Sequence, residues 1–311
     1  MTAAKPFFLL FVFVALMSLA GCGKPSESAQ SPAAPRPKTL RIGWVPNDED
    51  VERRVRFTSL TNYLSQRLNI KVELVETGTY STAIEAMRAG KLDVCTLGPF
   101  AYLIAHEKIG AQALIAPGTP AGAVNTYRSI FVVPKDSPLR SMDDVKARSR
   151  SLTLAWVDPA SASGHLVPRA YLESIGINPE TDFKNTLFTL SHLASAMTTK
   201  AGKVDLAVIT ENTRRDLIAK GRLAEEDLRV LWTSAPIATS VTAVRGDLSD
   251  AFREELRAAY LSFRTEAPES WKAFARLFPD PTTIWVAARD SDYDELRALA
   301  RGVKNMDLLA K

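Results

Sequence analysis

Two periods of hydrophobic and polar residues alternate along most of this chain. Apolar or alternating runs at Thr39–Val45 (TLRIGWV), Lys71–Val75, Leu92–Leu97, Gln112–Ile115 and Ser129–Val133 read as strands. Between them the apolar spacing becomes helical. Val51–Leu68 places Val55, Phe57, Leu60, Tyr63, Leu64 and Leu68 on one face, Tyr80–Ala89 stops at Gly90, and Phe100–Lys108 follows the break at Gly98-Pro99. This β-α-β-α-β-α order predicts an α/β protein with a parallel, doubly wound sheet covered by helices on both faces.

The pattern then restarts. Ser141–Ala147 reads as a helix, Leu152–Val157 as a strand, and Pro168–Ser174 as a helix closed by Gly176. Strand Lys184–Leu190, helix Ser191–Ala201, strand Val204–Ile209 and a helix to about Lys220 follow. Strands Leu228–Thr233 and Ser240–Val244 precede helices Asp250–Arg264, Pro268–Leu277 and Tyr293–Gly302. Two α/β units of about 100 residues each, with a C-terminal piece left over, predict a bilobal body. The crossings are expected near Val133 and Pro236, which puts 39–133 with 237–311 in one lobe and 134–236 in the other.

The N-terminus follows a different logic. Lys5 precedes an apolar run of 14 residues, Phe7 to Ala20, too short for a membrane span of about 20 and typical of a secretory signal. It ends in Leu19-Ala20-Gly21-Cys22, the arrangement of a bacterial lipoprotein signal, so 1–21 reads as a signal peptide and Cys22 as the lipidated first residue of the mature chain. Residues 22–38 are rich in Pro, Ser and Ala, lack an apolar period, and read as a flexible tether. The expected location is the periplasmic side of the cell envelope. Cys95, the other cysteine, lies in an apolar run and reads as a small buried hydrophobe. The formal charge of +4 falls to about +3 once Lys5 is removed, and no basic run is interleaved with aromatics, which argues against a nucleic-acid partner.

In open α/β sheets, ligands bind beyond the carboxyl ends of the strands. The post-strand loops here hold Gly78–Tyr80, Gly98–Tyr102, Asp158–Gly164, Ser191-His192 and Thr210–Asn212, all rich in hydroxyls and small residues. Ser161-Ala162-Ser163-Gly164 is the most telling. A strand, a small-residue loop and a helix start leave backbone N–H groups unpaired and aimed at one spot, a seat for a small oxyanion. The same serines would also serve as ordinary helix caps.

Three stretches, Tyr80–Val94 (YSTAIEAMRAGKLDV), Gly98–Tyr102 (GPFAY) and Asp158–Pro168 (DPASASGHLVP), closely resemble the phosphate/phosphite/phosphonate-type substrate-binding proteins of ABC transporters. Tyr127-Arg128-Ser129, Pro134–Pro138 (PKDSP) and Ser191-His192 also fit, and the resemblance runs from about Thr39 to Leu277. It implies a two-lobed, class II periplasmic-binding-protein fold joined by two hinge crossings. It also implies a small phosphorus oxyanion as ligand, handed to a membrane permease, without cofactor or metal. Carried over residue by residue, the oxyanion would meet Ser161, the N–H of Ala162, and Ser163 with the N–H of Gly164. The family often has Thr at the middle position, so Ala162 keeps a backbone donor and loses a hydroxyl. Tyr80, Tyr127 and His192 match family positions that approach the ligand.

Glu211 matches a position that holds the ammonium of aminoalkylphosphonates, although it also suits a helix N-terminus, and Ala235–Ser240 (APIATS) carries no acid. His165 is expected at the rim between lobes, His106 on an exposed face, and Gly98-Pro99 to bring Phe100 and Tyr102 to the cleft edge. No H-E-x-x-H or G-x-S-x-G motif is present, so an enzyme is not expected. The rival readings are a ligand-sensing lipoprotein without a transport role and a secreted hydrolase.

Overall fold

From Thr39 to Tyr127 the chain builds one half of an α/β body. Strands β1 (Thr39–Trp44), β2 (Lys71–Glu76), β3 (Val94–Leu97) and β4 (Gln112–Gly118) alternate with helices α1 (Val51–Leu68), α2 (Tyr80–Arg88) and α3 (Pro99–Ile109), and β5 (Thr126–Tyr127) leads out. The structure, a computed structural model, describes residues 36–45, 51–278 and 280–303, the side chains of 51–54 and 56 excepted. The signal sequence, Cys22 and most of the tether expected at the N-terminus lie outside the described residues.

The second half comprises β6 (Ser129–Pro134), α4 (Met142–Arg148), β7 (Thr153–Trp156), α5 (Val167–Ser174), β8 (Asn185–Phe188), α6 (His192–Lys200), β9 (Leu206–Thr210), α7 (Glu211–Ala219) and β10 (Leu228–Thr233). Then β11 (Ile237–Ala238) leads back to β12 (Val241–Val244), α8 (Asp250–Glu266), α9 (Pro268–Ala275), β13 (Ile284–Ala287) and α10 (Asp294–Gly302). One sheet has the order β13-β4-β12-β3-β1-β2, the other β10-β6-β9-β7-β8.

Both sheets are mixed, which corrects the expectation of parallel sheets. Strands β1, β2 and β3 run parallel, while β12 is antiparallel to both its neighbours, β3 and β4. In the second sheet β6 is antiparallel to β9 and β10, and β7 is parallel to β8 and β9. Strands β6 and β12 enter their sheets from the opposite sheet rather than through a helical crossover, so they arrive in the other direction, and β13, antiparallel to β4, follows β12 through α8 and α9 in the same sense. The crossing segments pair as a short antiparallel ribbon, Ile237 opposite Tyr127 and Ala238 opposite Thr126. Because β6 already pairs within the second sheet, the first passage falls ahead of Val133.

Alternation explains the burial. Ile130 and Val132 join one apolar cluster and Phe131 and Val133 another, so successive side chains of β6 feed the two faces of one sheet. Strand β13, which the apolar pattern did not single out, seats Trp285 in an aromatic cluster, with ring centroids 4.8 Å from Phe274 and 5.1 Å from Tyr260. Cys95 is fully buried, and burial pushes its thiol up to about 12, consistent with a packing role.

Candidate ligand cleft

Side-chain caps start several helices directly after strand ends. Thr79 caps α2 in a reciprocal pair with Thr82, Ser191 Oγ accepts the N–H of Ala194 at 3.0 Å, and Thr210 Oγ1 accepts that of Thr213 at 2.9 Å. Gly98-Pro99 opens α3, with proline where no N–H is needed. The first residues of three of these helices, Tyr80, Pro99 and His192, and the second of α7, Asn212, line one cavity of about 190 Å³ together with Ser161, Ala162, Ser163 and Tyr127. Helix N-termini carry partial positive charge and unpaired N–H groups, so their convergence favours an anion.

The Ser-rich loop supplies the closest donors. After β7, Val157 donates its N–H to Gly164 O at 3.0 Å and Ser161 donates to Asp158 O at 2.9 Å. Asp158 Oδ1 accepts the N–H of Ala160 at 2.8 Å and stiffens the approach. Ala162–Leu166 then forms a wide turn whose first closure is Leu166 N–H to Ser161 O at 3.1 Å. Ala162 and Ser163 stand ahead of that closure, so their N–H groups are the unpaired ones of the helix start. Ser129 Oγ donates to Ser163 O at 2.6 Å and fixes the loop against the second sheet.

The structure therefore brings together Tyr80, Tyr127, Ser161, Ala162, Ser163 and His192. Two expected residues are not among them. The N–H of Gly164 is taken by Ser161 Oγ at 2.9 Å, and a Cβ there would lie 2.3 Å from Val157 Cβ, so this glycine seats the turn against the strand. Glu211 is exposed and lines no part of the cavity. It opens α7, and at about 100° per residue the wall falls to Asn212 and Asp216 instead. The same wall also includes Thr239 and Ser240, the end of the acid-free segment Ala235–Ser240 expected at the cleft edge.

The cleft is polar, and the one carboxylate and one amine of its lining, Asp216 and Lys220, stand on α7 and at its C-terminal end. Burial, then the proximity of Tyr127 and Asp158, pushes the Tyr80 phenol well above its ordinary range. Burial pushes Tyr127 up to about 12, opposed by a hydrogen bond with Ser163. Both phenols remain protonated donors at neutral pH. Burial lowers His192 to about 4, so the ring is neutral. Its Nε2 lies 3.4 Å from Ser163 Oγ, and its buried Nδ1 has no partner among the described residues. Asp158 is also raised by burial, with the Ala160 N–H acting against it.

Three further expectations are corrected. His165 is buried, not at a rim: its ring sits edge-on between Trp156 and Phe188, with Nδ1 3.0 Å from Pro159 O. His106 is half-buried, with Nδ1 2.9 Å from Ala111 O and 3.7 Å from an Asp290 carboxylate oxygen. Phe100 and Tyr102 are fully buried away from the cleft edge, and Tyr102 donates to Asp290 at 2.8 Å. On α3 the cause is shared: its first two turns, Pro99–Ala105, are buried all round, so Phe100 and Tyr102 pack inside the lobe and draw His106 partly in with them.

The fold and this cleft define a class II periplasmic binding protein. Residues 42–293 match the family model described as ABC transporter, phosphonate, periplasmic substrate-binding protein, and the chain belongs to that family. Among its relatives is the phosphonates-binding periplasmic protein of Escherichia coli, 26% identical across 96% of this chain and 88% of that protein. The phosphate-import protein PhnD of Mycolicibacterium smegmatis is 28% identical, covering 91% of each. The solved binding-protein component of a Pseudomonas aeruginosa ABC phosphonate transporter superposes with a TM-score of 0.75, at 25% identity over 86% of this chain and 87% of that one. The family is one of transport proteins rather than enzymes.

Proposed function

We propose that the chain is a lipid-anchored solute-binding protein that captures a small phosphorus oxyanion, phosphite or an alkylphosphonate with phosphate as a further candidate, and delivers it to the permease of an ABC importer. One observation carries this reading: the N–H groups of Ala162 and Ser163, the Ser161 and Ser163 hydroxyls, two protonated phenols and His192 surround one cavity of about 190 Å³. Neutral, preorganised donors bind an oxyanion without a buried counter-ion. A bound dianion would also favour the protonated form of His192, turning its ring into a charged donor. Asn212 and Ser240 supply the polar wall beyond the phosphorus seat, with Asp216 a turn further along α7 and 3.6 Å from Arg215. That wall suits a weakly polar substituent better than an ammonium. The anchor reading rests on Leu19-Ala20-Gly21-Cys22.

Calorimetry with phosphite, methylphosphonate, phosphate and 2-aminoethylphosphonate tests the ligand class. Phosphite or methylphosphonate should bind at least as tightly as the amine, and Glu211→Gln should leave the order unchanged. No heat with any of the four would remove the oxyanion reading. Fractionation tests the anchor: Cys22→Ser should move the chain from membrane to soluble fractions, and unchanged membrane association would overturn lipidation.

A further inference from the structure

A second cavity, of about 280 Å³, lies inside the first lobe and shares Tyr80, Gly98, Thr239 and Ser240 with the oxyanion cleft. Its interior is aromatic: Trp44, Phe57, Tyr260, Phe274, Phe278 and Trp285. The rings hold one another in place, Trp44 and Phe57 at 5.4 Å, Phe57 and Phe274 edge-on at 5.5 Å, and Tyr260 edge-on to Trp285 at 5.1 Å. Gly98 leaves room for the Tyr80 phenol where the two cavities meet, since a Cβ there would come within 3.1 Å of its hydroxyl.

Protein interiors pack like organic crystals and leave few gaps larger than a water. A cavity of roughly 150 Å³ with apolar walls already binds benzene, so about 280 Å³ accommodates a substituted ring. Polar groups share the lining with the rings: Tyr80, Thr239 and Ser240 stand on the side of the cleft, and Thr96, Thr242 and Tyr260 further in. Thr96 and Thr242 bond to each other through their hydroxyls at 3.2 Å, while the Tyr260 hydroxyl, on a residue only 2% exposed, has no partner among the described residues.

We propose that this cavity is a second subsite of the cleft, taking the apolar, ring-sized substituent of an organophosphonate whose phosphonyl group sits on the Ser161–Ser163 turn. The proposal rests on the oxyanion reading above and adds the substrate class. A hydrogen-bonding group on the ring would meet Tyr260. Phosphite and methylphosphonate use the seat alone.

Titration calorimetry on the purified chain separates the two readings with three probes: phosphite, methylphosphonate and benzylphosphonate. Benzylphosphonate should bind at least tenfold more tightly than methylphosphonate. Leu277→Trp, which fills the cavity from its half-buried wall, should erase that advantage and leave phosphite binding in place. If phosphite and methylphosphonate bind while benzylphosphonate binds no better than methylphosphonate, the subsite is overturned and the seat stands. If the advantage survives in a Leu277→Trp protein that still binds phosphite, the ring lies elsewhere and the subsite is again overturned. If none of the three binds, the seat itself fails and the subsite with it. The comparison on the unaltered chain needs no substitution to fold.

Discussion

Burial without a counter-charge holds His192 neutral in the cleft, its value lowered from 6.5 to about 4. Because the folded value lies below the unfolded one, the unfolded chain binds more protons between about pH 4 and 6.5, and stability falls as pH falls through that window. His165, also lowered to about 4 by burial, adds a loss of the same sign. His192→Gln should therefore flatten part of the melting-temperature decline of the ligand-free protein. Saturating phosphite should flatten it in the unaltered chain and change the slope little in the variant, because the anion favours the charged ring. Melting curves across that range with an identical slope in both proteins would remove His192 from the site. Residue chemistry of this kind was readable before the fold: Ser161, Ser163, Tyr80, Tyr127 and His192 each stand where a strand or crossing ends. The direction of a side chain was not. Glu211 and Asn212 are adjacent in sequence, and only the phase of α7 decides that Asn212 lines the cavity.

The turn Ala162–Leu166 shows what an element adds to its residues. A strand-loop-helix transition was legible from the small residues after Val157, but the wide turn, with its bond from Leu166 N–H to Ser161 O, was not. That geometry spends the Gly164 N–H on Ser161 Oγ and leaves those of Ala162 and Ser163, which line the cavity, outside the turn's own bonding. Close packing enforces it. Gly164→Ala would press a methyl into Val157, and overpacking of this sort costs about 1–3 kcal/mol. The variant should melt lower and bind phosphite more weakly, because a displaced turn misaims two donors at once. Chemical denaturation shows the first effect and calorimetry the second. Unchanged affinity in a destabilised Gly164→Ala protein would mean that the turn positions nothing the ligand uses. Strand direction was equally hidden: an apolar run such as Ser129–Val133 reads the same whichever way it enters a sheet, and only the crossing through Thr126–Tyr127 makes β6 antiparallel to β9.

At the scale of the molecule, the two crossings are what let one cavity draw on two sheets. Tyr127 lies on the ribbon that joins the halves, opposite Ile237, and lines the cavity together with Ser163 of the second half, so the ribbon is both connection and wall. Tyr80 and Gly98 follow strands of the first sheet, while Ser161–Ser163, His192 and Asn212 follow strands of the second. A ligand contacting both sets stabilises whichever arrangement brings them nearest, and a pair of short crossings is the kind of connection that absorbs such a rotation. Three apolar clusters lie within one half each and resist bending there, while a fourth joins Ala160, Ala162 and Leu166 of the second half to the core around α3 and α10 of the first. A rotation at Thr126–Tyr127 and Ile237–Ala238 should therefore also shift the packing of that shared cluster. Small-angle scattering should give a smaller radius of gyration with saturating ligand than without, against a compact value of roughly 18 Å for a body of this size. Tyr127→Phe, which removes the ribbon's hydroxyl from the cavity, should bind more weakly and compact less at equal ligand concentration. Binding demonstrated by calorimetry without any compaction would argue that the ligand engages one half alone, and the wall contributed by Tyr80 and Gly98 would then have no part in capture.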